Sequence, residues 1–261
     1  MAYEFILFEV DEKGIATLTL NRPRSFNSFN HGMSVELAAA CRETARRDDI
    51  KVLIITGAGK AFSSGGDIDS LAQNDDNWKK KASLDDAVNV ADAMSRLEKP
   101  VIAAVNGVAA GAATAMILGC DMAIASDKAR YAPNFINIAS VPDSGATYFL
   151  PRLIGPKKAL ELFWSGRIIS ATEALELGIF NRVVPHDDLM KEVYAVAEKL
   201  AAGPTKTIAF VKRLVKEGLK NDLLTQCELE NYFQVMAWST EDFVEATRAF
   251  MEKRPPQFKG R

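Results

Sequence analysis

The chain changes rhythm along its length, and each rhythm predicts a different element. Residues Tyr3–Val10 and Gly14–Leu20 are short runs rich in β-branched and aromatic side chains, joined at Asp11-Glu12-Lys13-Gly14, which predicts a hairpin. From Met33 to Arg47 the apolar positions Val35, Leu37, Ala38 and Cys41 follow helical spacing. Val52–Thr56 is continuously apolar, the pattern of a strand buried on both faces. It runs into a Gly/Ser loop from Gly57 to Asp67. A helix is expected over Leu84–Leu97, a strand over Val101–Val105, a helix over Gly111–Leu118 and a strand over Met122–Ala125. This alternation of strand and helix predicts an α/β core.

Beyond about Lys157 the rhythm is mostly helical: Ala159–Trp164, Ala171–Leu177, Leu189–Ala201, Thr205–Lys220, Leu223–Val235 and Asp242–Met251, with one strand at Ile179–Val184. Such a tail suggests a lid or an oligomerisation element on the α/β body. Lys79-Lys80-Lys81, beside Asp75-Asp76, lies in the most polar stretch and reads as a solvated loop. Pro100–Cys120 carries no charge over a length that could cross a bilayer. Pro100, Asn106 and three glycines break it, so it is expected to form a strand, a turn and a buried helix in a soluble chain.

Composition narrows the function classes. Lys+Arg 32 against Asp+Glu 34 leaves a net charge of −2, which argues against nucleic-acid binding. Cys41, Cys120 and Cys227 are scattered without a CxxC pair, so neither a disulfide framework nor a structural zinc site is expected, and a cytoplasmic, reducing location fits. The N-terminus lacks a basic signal-peptide region, and the C-terminal QFKGR is not a receptor-read targeting tripeptide. With only His31 and His186, chemistry needing several imidazoles is poorly supplied. There is no HExxH, no complete P-loop and no GxSxG elbow.

Two backbone turns remain as candidates. Phe62-Ser63-Ser64-Gly65-Gly66-Asp67-Ile68 follows the buried strand, and its glycines free the backbone to aim an N–H at a ligand. Asn106-Gly107-Val108-Ala109-Ala110-Gly111-Ala112-Ala113 leads from a strand into a helix whose first N–H groups lack partners. Either turn could serve packing alone. Facing each other, they would form a two-donor oxyanion hole.

Together with Asn21-Arg22-Pro23, Lys99 through Gly107, Val141-Pro142-Asp143-Ser144-Gly145-Ala146-Thr147 and Phe250-Met251-Glu252-Lys253-Arg254, these motifs resemble the crotonase (enoyl-CoA hydratase/isomerase) superfamily across essentially the whole chain. The resemblance implies a ββα spiral core, taken as residues 1–200, and a helical C-terminal oligomerisation region, 201–261. It implies an acyl-CoA thioester substrate, a homotrimer or dimer of trimers, and no metal or redox cofactor. By position the oxyanion N–H groups belong to Gly66 and Ala112. The backbone around Ser64 and Ile68, with Asp67, would hold the CoA adenine side, and Arg24, Lys253 and Lys259 are candidates for its phosphates.

Family hydratases hold a water between two glutamates, which would fall here at Ala115 and Phe135; both are apolar. Each missing acid–base group is worth typically 10²–10⁴-fold, roughly 3–5 kcal/mol. Asp143 instead matches the single-carboxylate branch, the Δ3-Δ2-enoyl-CoA isomerases and the isomerase of phenylacetate degradation, in which one base shifts a proton while an enolate is stabilised. The plain alternative is that Asp143 caps the following helix, which would lower its pKa. An apolar acyl pocket lined by Phe135, Leu71 and Trp78 would raise it. Three other readings stay open: hydration with another acid, such as Asp69 or one from the C-terminal helices; covalent attack by Asp143, as in the aryl-CoA dehalogenases; and a CoA-binding or RNA-binding relative without catalysis.

Overall fold

The computed structural model describes residues 3–68 and 76–261. Asp69 and Leu71, both considered above, lie outside the described residues. Ten strands form two sheets. The larger contains β1 (Ile6–Val10), β2 (Ile15–Leu20), β3 (Val52–Gly57), β5 (Val101–Val105), β7 (Met122–Ser126) and β10 (Arg182–Val184), in the order β1-β2-β3-β5-β7-β10. Only the β1–β2 hairpin is antiparallel within it. The smaller sheet orders β4 (Ala61–Ser63), β6 (Val108–Ala110), β8 (Arg130–Ala132) and β9 (Ile169–Ser170) as β4-β6-β8-β9. Each pair β3/β4, β5/β6 and β7/β8 therefore sends its first strand to one sheet and its second to the other, the ββα spiral that the resemblance implies.

The continuously apolar strands follow from this layering. Leu53, Ile55, Ala103 and Val105 face the core between the sheets and the helices α1 (His31–Arg46), α2 (Asn77–Ser95) and α3 (Ala112–Gly119). Their neighbours Val52, Ile54, Ile102 and Ala104 face the opposite way, onto Leu189, Val193, Ala197 and Ala201 of helix α7 (Leu189–Ala201). That row repeats every four residues, so one stripe of α7 closes the outer face of the sheet. Between them lie α4 (Ala146–Ile154), α5 (Pro156–Ser165) and α6 (Ala171–Glu176); α8 (Thr205–Gly218), α9 (Leu223–Trp238) and α10 (Glu241–Glu252) follow. The uncharged Pro100–Cys120 segment resolves into β5, β6 and α3, and among the described residues no helix is long and apolar enough to cross a membrane.

Three expectations need correction. The lysine run is helical, not a loop: α2 starts at Asn77, where the Asp76 carboxylate accepts from the Trp78 N–H at 2.8 Å, and Lys81 pairs with Asp85 one turn on at 2.8 Å. No described side chain from Asn77 to Asn89 is buried, so the first half of this helix has no apolar stripe to read. The strand expected over Ile179–Val184 is confined to Arg182–Val184, because Ile179 and Phe180 are buried in a turn held by Ala174. The short strands β4 and β6 lie where the residue pattern suggests only turns, and β8 where it assigns no element; three residues are too few to show a period.

Candidate active site

The Gly66 N–H is freed by the way its loop pairs. Phe29 N–H donates to the Gly65 carbonyl at 2.7 Å and Asp67 N–H donates to the Phe29 carbonyl at 3.0 Å. This parallel bridge is made by the residues on either side of Gly66, so the N–H of Gly66 itself points away from it. Buried Asn27 fastens the loop base: its amide donates to the carbonyls of Ala58, Ala61 and Phe62 at 2.9–3.2 Å. Ser63 Oγ donates to the Asn27 carbonyl at 2.7 Å and accepts from the Gly65 N–H at 3.1 Å. On the far side of Gly66, Asp67 is held by Arg22 Nη1 at 3.0 Å and Ser28 Oγ at 3.2 Å.

Ala112 is the first residue of α3, where an N–H has no intrahelical acceptor. The preceding residue, Gly111, has φ +50° and ψ −127°, a conformation closed to a side chain, and its own N–H is tied to the Ala132 carbonyl at 3.0 Å. The two turns touch. A methyl on Gly65, whose φ is +86°, would stand 2.5 Å from the Ala110 carbonyl oxygen and 3.1 Å from the Ala112 nitrogen. Gly65→Ala is therefore expected to destabilise the fold by about 1–3 kcal/mol through the left-handed backbone alone, with more from the collision. Thermal melting checks the first effect, and loss of activity beyond the melting change checks the second.

Gly66, Ala112 and Asp143 line one cavity of about 690 Å³, walled otherwise mainly by apolar side chains of α2, α3 and α4. Asp143 is half-buried, and burial pushes its carboxyl pKa up, against a smaller opposing effect of the Ser144 hydroxyl, which donates to it at 3.0 Å. It does not cap the next helix. The N-cap of α4 is Gly145, at φ 90°, with no side-chain hydrogen bond; Asp143 contributes only its backbone carbonyl, to the Ala146 N–H at 2.8 Å. The turn across Ser144 and Gly145, both left-handed, sets Asp143 three residues ahead of the first helical residue, Ala146. Ala115, where a hydratase would carry its first glutamate, lines the same cavity with a methyl group.

The other sequence candidates fall in three places. Asp67 lines the cavity while paired to Arg22. Ser64, Ile68 and Arg24 gather outside it: Ser64 N–H donates to the Phe26 carbonyl at 2.9 Å and Ser64 Oγ to the Ser25 carbonyl at 3.3 Å, which seats the Arg24 turn on this loop. All three side chains are exposed. Phe135, expected at the substrate, is 6% exposed and packed in the core, off the cavity lining. Trp78, 79% exposed, is also off it. Lys253 ends α10 in a left-handed conformation, and Lys259 lies in the tail that Asp242 holds back; neither reaches the cavity. Missed from the sequence were Arg22, Asn27 and Ser28 as supports of the Gly66 loop. The Asn21-Arg22-Pro23 motif was visible, but its partner Asp67 lies 45 residues away. Also missed were Arg152, Lys216 and Lys220 on the cavity wall.

Two backbone turns with unpartnered N–H groups share one largely apolar cavity with a desolvated carboxyl, an arrangement able to stabilise a negative oxygen while a proton is moved. The enoyl-CoA hydratase/isomerase family model matches residues 11–261. A 1,2-epoxyphenylacetyl-CoA isomerase of Escherichia coli K12 is 38% identical over 99% of both chains. A crotonyl-CoA hydratase of Syntrophomonas wolfei is 34% identical, again over 99% of each. An enoyl-CoA hydratase structure from Bacillus anthracis superposes with a TM-score of 0.95 at 33% identity, covering 99% of this chain and 100% of that one. The chain belongs to the enoyl-CoA hydratase/isomerase family, with the crotonase fold and the acyl-CoA chemistry of that family.

Proposed function

We propose that the protein is an acyl-CoA isomerase that shifts a carbon–carbon double bond beside the thioester. Gly66 and Ala112 N–H groups hold the thioester oxygen as it becomes an enolate. Asp143, as the carboxylate, removes a proton from one carbon and, as the acid, returns it two carbons away. The observation that carries this reading is that Asp143 shares the cavity with both donors while Ala115 supplies no second acid. The other carboxylates described on the cavity wall are engaged elsewhere: Asp67 with Arg22 at 3.0 Å, and Glu217 with Lys220 at 3.2 Å. The isomerase name of the Escherichia coli relative agrees with it. The CoA moiety extends from the Gly66 end over Ser64 and Ile68, with Arg24 at its phosphates. The exposed apolar side chains of α8–α10, such as Val215, Leu223, Leu224 and Phe250, support a homo-oligomer, a trimer or a dimer of trimers.

The test is turnover of a 3-enoyl-CoA against a 2-enoyl-CoA, followed through absorbance of the conjugated thioester. Conjugation should appear from the 3-enoyl ester; net consumption of the 2-enoyl ester with release of a 3-hydroxyacyl product would mean hydration instead. The reaction also has an expected pH limb. The base acts ionised, and burial raises its pKa above the ordinary 3.8, so kcat/KM should fall as pH drops through a value above that of a free aspartate. A profile flat down to the ordinary aspartate range would remove Asp143 from the role.

A further inference from the structure

The cavity has two chemically different ends. Gly66, Ala112 and Asp143 stand at the N-terminal ends of α3 and α4. The opposite end is formed where the C-terminal turns of α2 and α3 meet: the Cβ position of Gly119 lies 3.8 Å from Met94 Cε, and Phe149 Cε2, from the first turn of α4, packs there at 3.8 Å. An eight-residue helix such as α3 separates the two ends by about 10 Å. The side chains at this far end are not those of a pocket for a plain hydrocarbon. Lys216 of α8, whose ammonium meets the last residue of α2, lines it, and Arg152, Glu217 and Lys220 line the same cavity.

Lys216 is the most confined of these cations. It is half-buried, its ammonium donates to the Ser95 carbonyl at 3.1 Å, and burial together with nearby Lys212 pushes its pKa down. Lys212 is paired with Asp121 at 2.6 Å and Lys220 with Glu217 at 3.2 Å, whereas neither Lys216 nor Arg152 has a carboxylate partner among the described residues. The Arg152 guanidinium lies 3.7 Å from the centre of the Tyr148 ring, with Nη1 on the Tyr148 carbonyl at 2.8 Å, which holds it at the wall. Asp121 offsets part of the charge on Lys216 but bonds Lys212, so Lys216 and Arg152 keep no direct carboxylate partner among the described residues, and such cations beside an apolar channel favour an anion that enters it.

We propose that this end of the cavity binds an anionic group at the distal end of the acyl chain, with Lys216 as its anchor and Arg152 beside it, so that the preferred substrates are acyl-CoA esters ending in a carboxylate. The acyl chain then spans from the oxyanion donors to Lys216, and the double bond lies at the Asp143 end. This assignment rests on reading the cavity as an acyl-CoA site. The bland role for Lys216 is to cap the C-terminus of α2 through Ser95, which would make it indifferent to the acyl group.

Two 3-enoyl-CoA esters of equal chain length, one ending in a carboxylate and one in a methyl group, test it on the normal protein and on Lys216→Met and Lys216→Gln. The normal protein should favour the carboxylate ester by roughly tenfold or more in kcat/KM. Both variants should lose that preference through a higher KM for the carboxylate ester alone, and Lys216→Gln keeps a donor for the Ser95 carbonyl. Calorimetric affinities for the two corresponding saturated acyl-CoA esters and for free CoA provide the same comparison without turnover. If neither 3-enoyl ester reacts, the isomerase reading fails, while the affinity ratio still decides the role of Lys216. Equal affinity of the normal protein for both saturated esters would overturn the proposal. So would an equal loss on both esters in the variants, the mark of a helix cap, or an equal loss for free CoA, the mark of a phosphate contact.

Discussion

Asp143→Asn should lower kcat for double-bond migration by about 10²–10⁴-fold while acyl-CoA affinity stays unchanged. The amide has nearly the size and shape of the acid but cannot accept the substrate proton. The fold should tolerate it, and the sign of the linkage says so. Burial raises the pKa of Asp143 in the folded state, so the native protein binds that proton more tightly than the unfolded chain does. Stability therefore falls as pH rises through the raised value, and at neutral pH the ionised group is a net cost that the amide removes. The variant should melt no lower than the normal protein at pH 7 to 8. Activity on a 2-enoyl ester surviving the change would assign the chemistry to another carboxylate. Activity and melting temperature falling together would make Asp143 a structural residue of the turn.

The second large effect is expected at a residue whose side chain does nothing. Ala112→Pro deletes one backbone N–H and leaves almost everything else in place, and it should lower kcat by about 10²–10³-fold. Proline suits this position: it is the first residue of α3, where no hydrogen bond within the helix is lost. The residue before a proline must avoid the right-handed helical region, and Gly111, at φ +50° and ψ −127°, already does. Circular dichroism and melting should be near normal, with the loss confined to turnover. Full activity in a folded Ala112→Pro protein would place the developing negative charge elsewhere. Ala112→Gly, which keeps the N–H, is the matching control and should retain most of the rate.

The strands buried on both faces were legible because their apolar runs report burial regardless of fold. The short strands of the second sheet were not, since β4, β6 and β8 each contribute only three residues. The two turns proposed to hold the oxyanion were readable from their glycines, as a local backbone property written in local residues. Their support was not: Asn27 reaches the Ala58 carbonyl across 31 positions and Arg22 reaches Asp67 across 45, and a single sequence holds no record of such distances. Asp143 stood out as a candidate, yet its environment was ambiguous, because Pro-Asp-Ser-Gly also spells a helix cap. What decides against the cap is that the N-cap falls on Gly145, two residues on, after a pair of left-handed residues. Phe135 was offered both as packing and as part of an apolar acyl pocket, and its ring lies in the core, off the cavity lining. The lysines of α8 carried no signal either, because what sets Lys216 apart is the cavity wall and the Ser95 carbonyl, 121 positions away.

The division of labour inside the cavity bears on how such a site changes over generations. The groups proposed to hold the oxygen belong to the main chain, and almost any codon change at Gly66 or Ala112 leaves an N–H behind; only proline removes it outright. The proton carrier and the distal cations are side chains, each erased or created by a single substitution. A lineage can thus exchange Ala115 for an acid, or Lys216 for an apolar residue, without dismantling the machinery that every variant shares. Reaction type and substrate choice can drift one residue at a time over a charge-stabilising frame that mutation barely reaches.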